Sequence, residues 1–437
     1  MPRVAIASIS QLAARAGARV ADEGGNAVDA AVAAAVVSCV TAPGMCSLGG
    51  AGFAIVGGPG GPPEAIDAGF EMPGRGLPPS RFGGGRMDVH LEYGGGVDTN
   101  VGPGSVATPG ALALFDRLAD RYGLLHCSSL IRPAYEHARD GFPLPAAAHE
   151  YMTYAHEAIF GWNEDSFAAL HDDEGRLLPA GAAIHVPHLA ESLQRIASEG
   201  ARVFYEGGLG RDIARYVEEH GGLLRPADLE AYRVVGRAPV VAEYRGWDVA
   251  TNPPPAVGGV VLAAMLELLE RGPAFAWSPE DAARLARVQA SVLLRRAERL
   301  DASRDLDAEA RALLEAASSG TLPDAGSSST VHTSTVDDDG LACAITLSDG
   351  YGSGAMAPGT GIWLNTCLGE PELNPHGYHG WPPGQRLLSN MAPTLARRGD
   401  AVLAIGSPGA DRITTAVLQV LVNVLELGMT LEEAIDH

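Results

Sequence analysis

Basic residues are scarce in this chain: 437 residues carry 31 Lys and Arg against 53 Asp and Glu, for a formal net charge of -22. Nucleic-acid binding draws on clustered Lys and Arg to neutralise phosphates, so that class is excluded and the expected partners are small molecules or further copies of the chain. Cysteine is sparse too. Cys39, Cys46, Cys127, Cys343 and Cys367 are odd in number and irregularly spaced, with no CxxC pair for a metal knuckle or redox motif, which fits a reducing compartment. No apolar run is long enough to span a membrane: Ala27 to Val40 falls short of the roughly 20 residues required and contains Asp29, so it reads as a buried helix. The opening residues, MPRVAIASISQLAARAG, are broken by Gln11 and Arg15 before a signal-length apolar region develops. No export signal is read, and a cytoplasmic protein is expected. Walker and dinucleotide fingerprints and internal repeats are missing as well. His149-Glu150 and His156-Glu157 lie seven apart rather than at HExxH spacing, and His376 and His379 have no third ligand nearby. No metal and no cofactor are therefore predicted.

What is present is a 46% hydrophobic content, enough for one large domain or two ordinary ones, with helix and strand signals interleaved. Helical periodicity runs from Ile9 to Glu23, stops at Gly24-Gly25-Asn26, and resumes in the Ala-rich run. SLGGAGFAIVGG, Ser47 to Gly58, reads as a strand that another backbone approaches closely. The Gly- and Pro-rich residues Gly57 to Gly104 read as a surface excursion, and helices dominate from about Gly110 to Gly221. Glu243 to Glu270 reads as a strand, a turn fixed by Pro253 to Pro255, and a helix starting after Gly258-Gly259. A helical stretch from Ala282 to Ala316 leads into a Ser-rich loop. Thr330 to Val336 and Leu341 to Leu347 then alternate as two strands joined by Asp337-Asp338-Asp339-Gly340, a hairpin signal. The strand AVLAIG and a closing helix from about Arg412 to Leu427 complete an α+β pattern of packed layers.

The hairpin begins on a hydroxyl residue. A threonine hydroxyl is a weak nucleophile unless a base sits beside it, and one solution is the threonine's own α-amine, which requires a chain start. That amine titrates near 7.7 to 8.0, matched to neutral operation without burial. His332 shares the strand face but lies roughly 6.5 Å further along it, beyond hydrogen-bond reach. Cleavage of the Ser329-Thr330 bond supplies nucleophile and base together. On its residues alone, the plainer reading of Thr330 is an ordinary threonine at a strand start.

EGGNAVDAAVAAA (Glu23 to Ala35), LGGAGF (Leu48 to Phe53), ARDGF (Ala138 to Phe142), FYEG (Phe204 to Gly207), YRG (Tyr244 to Gly246), PPPAVGG (Pro253 to Gly259), TVHTSTVD (Thr330 to Asp337), SNMAPT (Ser389 to Thr394) and GSPGADRI (Gly406 to Ile413) follow one another along the chain. In that order they resemble the γ-glutamyltransferases over nearly the whole length. The resemblance implies a four-layer αββα N-terminal-nucleophile hydrolase fold. It also implies self-cleavage into a large part, residues 1–329, and a small part, residues 330–437, that stay together as a heterodimer forming one domain. Thr330 matches the nucleophile. Ser348, or alternatively Thr346, matches a second hydroxyl that supports it, a strand residue facing solvent being the plain alternative for Ser348. Gly409 and Ala410 match two residues whose backbone N–H groups stabilise the oxyanion, a role that does not depend on the side chain.

Departures from the family pattern fall in the substrate pocket. Where the family has D-x-R-E, with Arg gripping the substrate α-carboxylate, this chain has Asp67-Ala68-Gly69-Phe70-Glu71, so Phe70 replaces the Arg and a bidentate clamp is lost. Arg75 and Arg81 are the candidates to replace it. The family's Gln and Asp that bind the α-amino group correspond to Cys367 and Glu370, and its serine pair near the carboxylate to Ser389-Asn390; Glu370 retains the charge to hold an ammonium. The chain ends at Ala434-Ile435-Asp436-His437, where family members continue through further strands, so a shortened C-terminus is expected. The implied function is a self-processing amidohydrolase or acyltransferase that takes a small-molecule acyl donor and a water or amine acceptor. The competing expectation is an uncleaved, inactive relative that only binds ligands or partners.

Overall fold

Two sets of chain segments keep their hydrophobic residues on different tasks, one wrapping helices around an Ala-rich helix and the other sandwiching two sheets. The computed structural model describes residues 3–92, 96–319, 330–409 and 412–437. These divide into two compact units: Met1–Gly52, Ala68–Val235 and Leu347–Leu387 make the first, and Phe53–Asp67, Gly236–Thr346 and Leu388–His437 the second. Among the described residues no helix is long and apolar enough to cross a membrane.

In the first unit, the helix Ala27–Thr41 is buried at every position. Asn26 starts it, its side chain accepting from Val28 and Asp29 while Asp29 bonds back to the Asn26 N–H at 3.0 Å. Asp29 also accepts from Leu124 N–H at 2.9 Å, so the one charge in this apolar run is spent on backbone donors. The amphipathic helix Gln11–Asp22, capped by Ser10, packs against it. Asn365 ties together three segments far apart in the chain, accepting from Ala107 N–H and donating to the Gly49 and Ala107 carbonyls, each at 2.9 Å. The LGGAGF stretch therefore begins beside residues more than 300 positions later.

The second unit is layered. One sheet carries, in spatial order, Val331–Asp337, Ala342–Ser348, Ala51–Gly57, Glu64–Ala68 and Val235–Arg237. The other is antiparallel, in the order Ala401–Ile405, Thr394–Arg398, Trp247–Thr251, Val240–Tyr244. Ile55, Ala65, Ala342 and Ala344 from the first meet Leu395 from the second, with Val336, Val402 and Ala404 at the margin. The helix Val257–Glu270 lies on the four-stranded sheet, flanked by Leu306–Ser319 and Arg412–Leu421. Arg245-Gly246 of the YRG stretch is the two-residue turn joining Val240–Tyr244 to Trp247–Thr251: Arg245 at φ 50° and Gly246 at φ 75° give the doubly left-handed geometry that matches strand twist.

Two sequence expectations need correcting. The Gly57 to Gly104 excursion is not all surface: Glu64–Ala68 is a sheet strand, and Phe70 and Met72 are buried, because Ala65, Ile66 and Ala68 supply an apolar strand too short to stand out among the glycines. The helix expected after Gly258-Gly259 begins at Val257 and contains both glycines. A Cβ on Gly258 would collide with the Asn390 carbonyl and one on Gly259 with the Asn252 carbonyl, so these glycines serve close approach rather than a stop.

Candidate functional site

The second unit holds Thr330, Gly409, Ser389 and Asn390. Thr330 is 4% exposed and immediately precedes the strand Val331–Asp337. Two residues on, His332 is bracketed: Nδ1 lies 2.8 Å from Thr346 Oγ1 across the hairpin, and Nε2 lies 2.8 Å from Ser334 Oγ. Desolvation pushes its imidazole down to about 3, so it is neutral at physiological pH with both nitrogens committed. It is therefore not a base for Thr330. Thr346, the alternative second hydroxyl, is fully buried and serves the histidine.

The loop after the strand Ala401–Ile405 abuts the same hairpin. Gly406 is pressed so closely to the His332 ring that a Cβ there would collide with it. Gly409 is buried at φ 119°, a conformation that excludes ordinary L-residues, and its carbonyl accepts from Arg412 N–H at 2.8 Å where the next helix begins. Ala410 lies outside the described residues. Ser389 and Asn390 are joined to the PPPAVGG turn, Val257 N–H donating to the Ser389 carbonyl at 2.8 Å. The structure thus brings the Thr330 strand and the Gly409 loop together, and separately the Ser389-Asn390 pair and the proline turn.

The first unit holds Phe70, Ser348, Cys367 and Glu370. Phe70 is 5% exposed, its carbonyl accepting from Leu387 N–H at 2.9 Å. Neither arginine nominated to replace the lost clamp is uncommitted. Arg75 donates to Glu71 at 3.0 Å and faces Asp228 at 3.4 Å, and Arg81 lies 4.0 Å from Glu218. Sequence reading missed Arg386, which donates to Glu71 Oε1 at 2.6 Å and stacks over Tyr232. Glu71 is held by two guanidiniums, Arg75 four residues on and Arg386 315 positions away, and no local pattern reveals the second.

Ser348 Oγ accepts from Gly350 N–H at 2.9 Å, so this hydroxyl shapes the turn leaving its strand. Two buried carboxyls sit on the segments that follow. Asp349 receives Ser47 Oγ at 3.0 Å, and burial pushes it up to about 7; its Oδ2 has no hydrogen-bond partner among the described residues. Burial, with Glu372 and Asp349 nearby, holds Glu370 well above the usual carboxylate range, and its Oε1 likewise lacks a partner. The neighbouring Cys367 thiol is pushed up by burial and by Glu370. A Cβ on Gly350 would collide with Glu370 Oε1, so the glycine leaves room for that carboxyl. An ammonium at this place would return Glu370 to its ionised form.

No group of three metal-ligating side chains occurs among the described residues. His379 is structural: Nδ1 accepts from Gly83 N–H at 2.9 Å and Nε2 donates to the Gly104 carbonyl at 2.8 Å.

The chain matches the family model for gamma-glutamyltranspeptidase over residues 13–310 and 286–437. It is 32% identical over 469 residues to a glutathione hydrolase proenzyme of Escherichia coli strain K12, covering 98% of this chain and 79% of that protein. It is 31% identical to an acylase ACY 1 proenzyme of Pseudomonas sp. strain V22, covering 97% of this chain and 80% of the relative. In three dimensions it resembles the cephalosporin acylase of Bacillus halodurans with a TM-score of 0.82 at 23% identity, over 100% of this chain and 83% of that one. The α+β fold is that of the N-terminal-nucleophile hydrolases, as the sequence motifs implied. A family model matched along nearly the whole chain, and relatives above 30% identity at similar coverage, lead to one conclusion: this chain belongs to the gamma-glutamyltranspeptidase family, as a hydrolase of γ-glutamyltransferase type.

Proposed function

We propose that the chain cleaves itself before Thr330, that residues 1–329 and 330–437 remain associated, and that the freed Thr330 transfers acyl groups from amide donors to water or an amine. One observation carries the choice of base. The histidine nearest in sequence is neutral with both ring nitrogens committed to Thr346 and Ser334, which leaves the α-amine of Thr330 to accept the proton. As Thr330 Oγ adds to the donor carbonyl, its proton passes to that amine. The resulting ammonium protonates the leaving nitrogen as the C–N bond breaks, leaving a threonyl ester. Water or an amine then adds to the ester, again giving a proton to the α-amine, and Oγ leaves reprotonated. Gly409 N–H, in a loop whose backbone only glycine adopts comfortably, and Ala410 N–H are the proposed oxyanion donors. Ser348, which the resemblance matches to the family's second hydroxyl, is the proposed supporting hydroxyl.

The proposed donor is a γ-glutamyl-like or other acyl amide whose carboxylate is recognised differently. Phe70 is apolar where the family pattern has an arginine, while Arg75 is committed to Glu71 and Asp228. Glutathione hydrolase and acylase relatives span both kinds of donor. A panel of γ-glutamyl and other acyl p-nitroanilides, each with and without an amine acceptor, tests this reading. Release of p-nitroaniline by processed wild type and none by Thr330→Ala supports it; an uncut wild type that turns over these donors refutes it.

A further inference from the structure

Asn390 is the position where the substrate pocket departs from the family's serine pair, and its surroundings are unusual. Arg296 opens a five-residue π-helical turn, Arg296–Leu300, and its side chain is 5% exposed. Nε lies 3.0 and 2.9 Å from the two Asp301 carboxylate oxygens, and Nη2 lies 2.6 Å from the end of the Asn390 side chain. A guanidinium only donates, so the amide atom facing it is Oδ1 and the amide cannot be flipped. Nδ2 then points away. That nitrogen is buried, in a residue 4% exposed, and has no hydrogen-bond partner among the described residues. The backbone on either side is pinned: Val257 N–H donates to the Ser389 carbonyl, Met391 N–H to Ser389 Oγ at 3.2 Å, and Gly258 closes against the Asn390 carbonyl. A buried amide donor with fixed backbone, fixed orientation and no acceptor among the described residues leaves one hydrogen bond for a ligand to complete.

We propose that Arg296, clamped by Asp301, is a positioning residue that turns the Asn390 carboxamide so that its NH2 donates to an acceptor oxygen on the acyl group. The inference rests on the reading that Ser389 and Asn390 border the acyl donor. Because the Arg296 charge is already matched by Asp301 and the donor itself is neutral, the acceptor is a carboxylate or an uncharged carboxamide rather than a carboxylate alone.

The test compares three p-nitroanilide donors: glutaryl, with a carboxylate; 4-carbamoylbutyryl, with a neutral carboxamide; and pentanoyl, with neither. Asn390→Ala and Arg296→Met should each lower kcat/KM for the first two roughly tenfold or more, chiefly through KM, and change the third by no more than about twofold. The double variant should be no worse than Asn390→Ala, and Arg296→Lys should recover part of the loss. The ratio of the glutaryl to the carbamoyl effect shows which oxygen is preferred. Equal losses on all three donors, or losses that multiply in the double variant, overturn the inference. If Arg296→Met does not fold, Arg296→Lys and Asn390→Ser decide by the same donor contrast. A wild type that is uncut, or inert toward all three donors, overturns the acyl-transfer reading and this inference with it. A cut, active wild type lacking the donor contrast overturns this inference alone.

Discussion

Replacing Asp349 by Asn should stabilise the protein at alkaline pH and do little in mild acid. The carboxyl is 1% exposed and is held at about 7 by burial, against roughly 3.9 in an unfolded chain. Between those two values the folded state holds a proton that the unfolded state has released, so stability is lost as pH rises from about 4 through 7. The difference of about 3 pKa units sets a ceiling near 4 kcal/mol at pH 8, at about 1.4 kcal/mol per unit. Asn keeps an oxygen for the Ser47 hydroxyl but places an NH2 where Oδ2 has no partner among the described residues, which costs about 1–2 kcal/mol. The expected net gain at pH 8 is about 2–3 kcal/mol, falling to zero or slightly below near pH 5. Urea unfolding at pH 5, 6, 7 and 8 measures it, in a Thr330→Ala background so that both proteins unfold as one chain. A difference between the two proteins that stays constant across this range refutes the assignment of a buried, reluctantly ionised carboxyl.

Thr346→Val removes the hydroxyl that meets His332 Nδ1 and leaves a buried ring nitrogen unmet, so urea unfolding at pH 7 should show a loss of about 1–3 kcal/mol. Gly409→Ala forces a Cβ into φ 119° and should lower thermal stability by about 1–3 kcal/mol, with a fall in kcat larger than that in KM. Phe70→Arg should raise kcat/KM for γ-glutamyl donors by roughly tenfold or more while lowering stability, because Glu71 already holds Arg75 and Arg386 and the new charge is buried; no gain in kcat/KM means another group holds the carboxylate.

The layered α+β fold was legible where pattern and local chemistry agree. Ala27–Thr41 follows from an apolar run behind an Asn26/Asp29 capping box, and the hairpin carrying Thr330 from alternation around an Asp-rich, Gly-ended turn. Glu64–Ala68 was not legible, since five residues between Gly-Pro segments show no period long enough to separate strand from loop. The candidate site was partly legible in the same way. Thr330, Gly409 and the Ser389-Asn390 pair stand in ordered motifs, but the groups that set their chemistry are joined only by folding. Arg386 meets Glu71 across 315 positions and Arg296 meets Asn390 across 94, so a one-dimensional pattern carries no trace of either. Burial does the rest. Nothing local in Ser-Asp-Gly marks Asp349 as a carboxyl held near neutrality; only the packing around it does.

The central claim is that Thr330 becomes a chain start, and intact-mass measurement with N-terminal sequencing of purified protein tests it most directly. Wild type is expected to give two fragments, the smaller beginning at Thr330, while Thr330→Ala remains one chain without acyl-transfer activity. Thr330→Ser, which keeps the hydroxyl, should cleave in part. A wild type that stays a single chain yet turns over amide donors would contradict the account.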